Sequence, residues 1–197
     1  MKSILLASNS TYRQLHSWTL SIHISPNFTV STCAFNAMSL SFLTQLQIST
    51  APYFNNSQTW VKTFGRLPLL EQVCVRGYLP PSFLEALVYK KKAAEKLKSA
   101  YRAAYFPKLR YIHLDSVNFG MTYPTSTVDL LIDCLMERYE RKAEVQVLRL
   151  DDCYCVTNED VERLEEIVVD VIWDEVVQGF LDEECEEDEE EYDGNLY

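Results

Sequence analysis

The residues of this 197-residue chain whose types most invite chemistry are His113, Asp115, Arg149 and Asp151, in the segments YIHLD and VLRLD. A histidine near a carboxylate and a cation is the raw material of general acid–base catalysis. That chemistry also needs a nucleophile or substrate proton in reach and a group that orients the base. Serines and cysteines are plentiful, but no elbow such as G-x-S-x-G frames one of them. Asp151 and Asp152 beside Cys153 suggest a metal, yet adjacent residues of an extended strand point to opposite faces. No C-x-x-C or H-x-x-x-H spacing offers paired zinc ligands. The expectation is a protein that is not an enzyme, with no catalytic residue, cofactor or metal. As a set, Arg76, Tyr111, His113, Asp115, Arg149 and Asp151 read better as partner-binding residues, since tyrosine and arginine are the usual anchors of interfaces.

Recognition groups need a frame, and the frame is a repeat. Around His113 the stretch FPKLRYIHLDSVNFG has an L-x-x-I-x-L spacing through Leu109, Ile112 and Leu114. The pair Ile112/Leu114 has relatives at Ile22/Ile24, Leu46/Ile48, Val73/Val75 and Leu148/Leu150. Leu43, Leu70, Leu109 and Val145 each stand three residues before their pair, and Thr19 breaks the match in the first copy. The intervals are 24, 27, 39 and 36 residues, and a last candidate strand, IVVDVIWD (Ile167–Asp174), follows. Leucine-rich repeats run about 20–29 residues, so two intervals fit and two carry insertions.

The insertions read as helices. Ser82 and Glu85, after two prolines, suggest a capping box, with Phe83, Leu84, Leu87, Val88, Ala94, Leu97 and Tyr101 as the apolar stripe. Ser126 and Asp129 open another helix with Leu130, Leu131, Cys134 and Leu135, and Thr157 and Asp160 open one with Val161 and Leu164. Pro68 and Pro107 precede their strands, where they cost no central ladder bond. The fold expected is α/β, a leucine-rich-repeat-like solenoid with parallel strands on one face and helices on the other. A doubly wound domain would need nucleotide-loop glycines or polar groups clustered at strand ends, and neither is present. Between the buried aliphatics, Gln45, Gln47, Ser49, Gln72, Cys74 and Val147 join the six recognition residues on the expected concave face, where solenoids bind partners.

Composition bounds the rest. The formal charge is −11, but Asp182 to Asp193 holds ten carboxylates and no cation, leaving 18 basic and 19 acidic residues in the first 181. The reading is one domain over residues 1–181, with 1–17 as an irregular N-terminal edge, and a disordered acidic tail over 182–197. No basic stripe suits nucleic acid, and no apolar run approaches the ~20 residues of a membrane span. The lysines from Lys90 to Lys98, with Arg102, read as the solvated face of a helix. The opening MKSILLAS has too short an apolar core for a signal peptide, whose h-region runs about 7–15 residues. Sequons at Asn9, Asn27 and Asn55 match a pattern common by chance. The six cysteines lack a disulfide framework and read as reduced, packed thiols, with Cys153 and Cys155 on one side of any extended segment. The compartment expected is reducing, cytoplasmic or nuclear.

The combination of LPLLEQVCVRG, FPKLRYIHLDSVNF, VQVLRLDDC and IVVDVIWDE resembles the repeat region of fungal F-box proteins with leucine-rich repeats, over roughly residues 40–174. The resemblance implies a protein–protein interaction module that holds the substrate of a ubiquitin ligase. In that family an N-terminal F-box docks on a cullin-ligase adaptor. Only 17 residues precede Trp18 and no F-box spacing is legible there. Adaptor binding is therefore expected only if an F-box is supplied elsewhere. The alternative is a free-standing leucine-rich scaffold with no ligase link.

Overall fold

The computed structural model describes residues 5–10, 17–23, 40–49, 56–88, 105–120 and 126–175. Within them lie strands β1 (Leu5–Ser10), β2 (Ser17–His23), β3 (Leu43–Ser49), β4 (Gln72–Arg76), β5 (Tyr111–Asp115), β6 (Val147–Asp151) and β7 (Asp170–Trp173). The helices are α1 (Ser57–Thr63), α2 (Pro81–Leu87), α3 (Thr127–Glu140) and α4 (Asn158–Glu165). All the strands belong to one sheet in the order of the chain, β1 to β7. From β2 onward every pairing is parallel, so the fold is α/β. No described helix is long and apolar enough to cross a membrane.

The register follows the aliphatic pairs. Leu46 lies beside Val73, Val73 beside Ile112 and Ile112 beside Leu148; Ile48, Val75, Leu114 and Leu150 form the next row. A side-chain period of two sends both rows to one face. There Val73, Ile112, Leu114, Leu148 and Leu150 are each at most 1% exposed. The helices pack α1 on α2, α2 on α3 and α3 on α4, and their apolar side chains share that single core. Trp60, Phe83 and Phe106 form a chain of edge-on rings inside it, with centroids 5.2 and 6.3 Å apart.

Strands β4–β7 leave the sheet by a similar turn. Two residues beyond the second aliphatic of β4–β7 stand Gly77, Ser116, Asp152 and Glu175, with φ of 86°, 55°, 50° and 60°. The amide of Gly77 donates to the Asp115 carbonyl and that of Ser116 to the Asp151 carbonyl, both at 2.8 Å. At Asp152 the acceptor is instead the Asp174 side chain, at 2.6 Å.

Several expectations are corrected. The first aliphatic pair is Leu20/Ile22, because Leu20 lies beside Leu46 and Ile22 beside Ile48. Ile24 lies outside the described residues. The last pair is Val171/Trp173, beside Leu148 and Leu150. The stretch read as an irregular edge contains β1, which pairs antiparallel with β2 and departs from the all-parallel expectation. An antiparallel neighbour can follow a short connection, whereas a parallel one needs a crossover.

Helix starts differ too. Pro80 is the N-cap of α2 and Pro81 its first residue, so no Ser82–Glu85 box forms. Ser82 is buried and its hydroxyl accepts from the Trp60 indole at 3.1 Å. Ser126 caps α3 without a side-chain bond, while Asp129 pairs with Arg163 at 2.7 Å. The Thr157–Asp160 capping box of α4 forms as expected. Helix α1 was not foreseen; its N-cap is Asn56, whose side chain accepts from the Gln58 amide at 2.7 Å. Cys153 is buried, but Cys155 takes a left-handed φ of 57° and is only half-buried, so the two do not share an extended segment. The apolar stripe beyond Val88, the lysines from Lys90, Cys33, Cys185 and the acidic tail all lie outside the described residues.

Candidate functional site

Opposite the core face, the sheet presents alternate residues of β3–β7. Three rows cross it in register. Gln45, Gln72, Tyr111 and Val147 form the first, Gln47, Cys74, His113 and Arg149 the second, and Ser49, Arg76, Asp115 and Asp151 the third. The six residues singled out from the sequence therefore lie on three neighbouring strands, β4–β6. None of these positions is buried, although their aliphatic neighbours are. The mixture follows from pleating: one face is sealed by helices and the other bears side chains that tolerate water.

The polar groups of β4–β6 are connected. Arg76 Nε lies 3.4 Å from Asp115 Oδ2, and Ser116 Oγ donates to Asp115 Oδ1 at 2.8 Å. Arg149 Nε donates to both oxygens of Asp151, at 3.0 and 2.7 Å. His113 Nε2 lies 2.9 Å from Asp151 Oδ2, and the Cys74 sulfur lies 3.5 Å from His113 Nδ1. An ionised carboxylate only accepts, so in the neutral ring Nε2 carries the proton and Nδ1 accepts from the Cys74 thiol. Tyr111 meets the His113 ring edge-on at a centroid distance of 6.5 Å. Burial works against ionisation of Asp151, but the hydrogen bonds from Arg149 and His113 outweigh it and hold its carboxyl below the usual range.

Cys74, His113 and Asp151 stand in the order of nucleophile, base and orienting acid. Burial first, and Asp115 second, push the Cys74 thiol up to about 11, so at neutral pH it is a hydrogen-bond donor. The backbone amides of β4–β6 are engaged in ladders on both sides of β5, which leaves none there to stabilise an oxyanion. Among the described residues no group of three or more His, Cys, Asp or Glu side chains is placed to hold a metal. What the arrangement offers is a polar surface whose charges are mutually compensated, with Tyr111 and Val147 as apolar relief.

On the N-terminal side the outward residues change chemistry. Thr19 Oγ1 donates to Gln45 Oε1 at 2.9 Å and Ser21 Oγ to Gln47 Oε1 at 3.1 Å. Sequence reasoning missed Thr19 and Ser21 because it set the first pair two residues too late. It also missed Ile172, which continues the second row beside Arg149 and is 40% exposed. Comparison with family models, with curated proteins and with solved structures returns no match to this chain.

Proposed function

We propose that this chain is a leucine-rich-repeat-like solenoid that acts as a protein–protein interaction module, and that the face of β4–β6 holds its partner. The observation that carries the reading is the recurrence of one unit in register: an aliphatic pair, a left-handed residue two positions on, and a polar outward face that no described helix covers. Cys153 adds to it. It stands three residues after Leu150, where leucine-rich repeats have asparagine or cysteine, and its thiol donates to the Leu114 carbonyl of the preceding strand at 3.4 Å. Tyr111, Arg76 and Arg149 are the anchors and His113, Asp115 and Asp151 the groups that orient them.

The likeness of the repeat segments to fungal F-box proteins leads us to propose the substrate-holding role of a ubiquitin-ligase component, with the cullin adaptor bound through an F-box supplied elsewhere. Affinity capture from a fungal lysate tests this with three baits: the wild-type chain, Tyr111→Ala/Arg149→Glu on the proposed face, and Met136→Lys on α3. Partners retained by the wild type and the α3 variant but lost by the face variant are the expected result. Equal capture by all three baits would overturn the face assignment. A retained set without substrates of ubiquitin transfer would favour the free-standing scaffold.

A further inference from the structure

The C-terminal end of the sheet is unlike the face just described, and it supports a second contact surface independent of that reading. No described strand lies beyond β7. The amides of Asp170 and Asp174 donate to the Gln146 and Leu150 carbonyls on the β6 side. By the alternation of a parallel strand, the N–H and C=O groups of Val171 and Trp173 point the other way. An edge with free backbone groups is a template for another strand. Apolar surface lies beside it: Val169 is 85% exposed and Ile172 40%. The Trp173 indole N–H is buried without an acceptor among the described residues, so the end of the core lacks a group that a further strand would bring.

Charge says what kind of strand that is. From Leu164 to Glu175 the chain has five carboxylates and no cation. Glu165, Glu166, Asp170 and Glu175 have no ion-pair partner among the described residues, and Asp174 accepts from the Asp152 amide at 2.6 Å. On the outward face the edge alternates carboxylate, aliphatic, carboxylate through Asp170, Ile172 and Asp174. A second copy of β7 would set carboxylates against carboxylates, and the acidic run from Asp182 to Asp193 meets the same repulsion.

We propose that the outer edge of β7 is a strand-addition site for an extended segment of another protein in which lysine or arginine alternates with an aliphatic residue on one face and aliphatics line the other. Lysines then face Asp170 and Asp174, an aliphatic covers Ile172, and the second face packs on Val171 and Trp173. Main-chain bonds supply affinity and the alternate side chains supply specificity.

The test uses the full chain and three capped peptides: Lys-Val-Val-Val-Lys, Glu-Val-Val-Val-Glu and Lys-Val-Pro-Val-Lys. Hydrogen exchange by NMR should show the Val171 and Trp173 amides newly protected with the first peptide alone. Its affinity should exceed that of the glutamate peptide at least about tenfold at low salt and fall as salt rises. Asp170→Lys, an exposed change checked for an unaltered thermal midpoint, should abolish the preference. Equal binding of lysine and glutamate peptides, or tolerance of the proline, would overturn the proposal. So would protection of these amides before any peptide is added, which would mean the chain's own C-terminal segment fills the edge. A dimer in sedimentation that protects them would assign the edge to a second copy and overturn it equally.

Discussion

In the middle of the sheet, β4–β6 have a neighbour on each edge, a core face sealed to 1% exposure or less, and an outward face whose polar groups pair within and across strands. At the C-terminal end, β7 has one neighbour among the described strands, with Val169 just before it and its own Ile172 exposed, and carboxylates gather there. Local preference does not account for the contrast, since the segment IVVDVIWD has more β-branched residues than YIHLD. The number of neighbours does. A strand inside a sheet is held by a neighbour on either side, whereas an edge strand has a neighbour on one side only. Burial and charge compensation therefore follow position in the sheet, and the edge is where new contacts are cheapest to make.

The largest effect that could break this comparison is a carboxylate on the core face of the middle. Ile112 is 1% exposed and packed among Val73, Leu148 and the helix layer. Ile112→Asp should unfold the domain, because an unpaired buried carboxylate costs several kcal/mol against a total of about 5–15. Ile172→Asp, on the outward face of β7, should shift stability by less than about 0.5 kcal/mol. Chemical denaturation of both variants checks the pair. Equal losses would show that the end is as tightly built as the middle.

Next in size is Arg138, a charged residue that is fully buried in α3. Its guanidinium donates to the Leu87 and Tyr105 carbonyls at 3.2 and 3.1 Å and to the Phe106 carbonyl at 3.0 Å. It thereby closes the C-terminal end of α2 against the approach to β5, where helix carbonyls lack intrahelical partners. Burial lowers its pKa to about 10, still far above neutrality, so the bonds are charge-assisted. Arg138→Ala should cost roughly 3–5 kcal/mol, since three carbonyls lose their donor and a cavity opens. Arg138→Met, which keeps most of the volume, should cost less. A loss below about 1 kcal/mol in thermal denaturation would show that water replaces the guanidinium.

These two sites also mark what was legible in the sequence. The pairs 46/48, 73/75, 112/114 and 148/150 were readable because alternation and spacing recur, and a register slip would turn every side chain to the wrong face. The outward six followed automatically from that register. The first pair was misplaced because WTLSIHIS alternates over more positions than the strand uses, so Leu20/Ile22 and Ile22/Ile24 fit equally well until a neighbour chooses. Helix α1 escaped because a seven-residue helix with one cap and Trp60 and Val61 buried has too few turns to show a period. The roles of Ser82 and Arg138 were invisible because both depend on residues 22 and more positions away. Local signals such as a capping box favour a helix start but do not say which polar groups tertiary contacts will claim.

A smaller effect tests the C-terminal edge of the sheet alone. In α4, Thr157 Oγ1 accepts from the Asp160 amide at 3.2 Å, and Asp160 Oδ2 accepts from the Thr157 amide at 3.1 Å. Helix α4 packs on β7. Thr157→Ala should cost about 1 kcal/mol. If the end opens independently, exchange of the Ile172 amide should quicken while that of Ile112 stays unchanged. Equal acceleration at both would show that the sheet opens as one unit.

The smallest effect concerns the charge balance of the middle. Cys74 is held up to about 11 by burial and then by Asp115, with Arg76 acting in the opposite direction. Below that value the thiol stays protonated, and alkylation proceeds through the minor thiolate. Asp115→Asn removes one of the groups that raise the pKa and releases Arg76 from its 3.4 Å pairing. Both changes lower the Cys74 pKa. Iodoacetamide labelling of Cys74 at pH 8, followed by peptide mass spectrometry, should therefore quicken by about threefold or more. Arg76→Met should slow it, and neither outward-facing change should move the thermal midpoint appreciably. The buried thiols Cys134 and Cys153, both raised to about 12, serve as internal controls that remain unlabelled in the folded chain. If Asp115→Asn left the Cys74 rate unchanged, burial alone would set its reactivity, and the outward charges of the middle would be too well screened to act on one another.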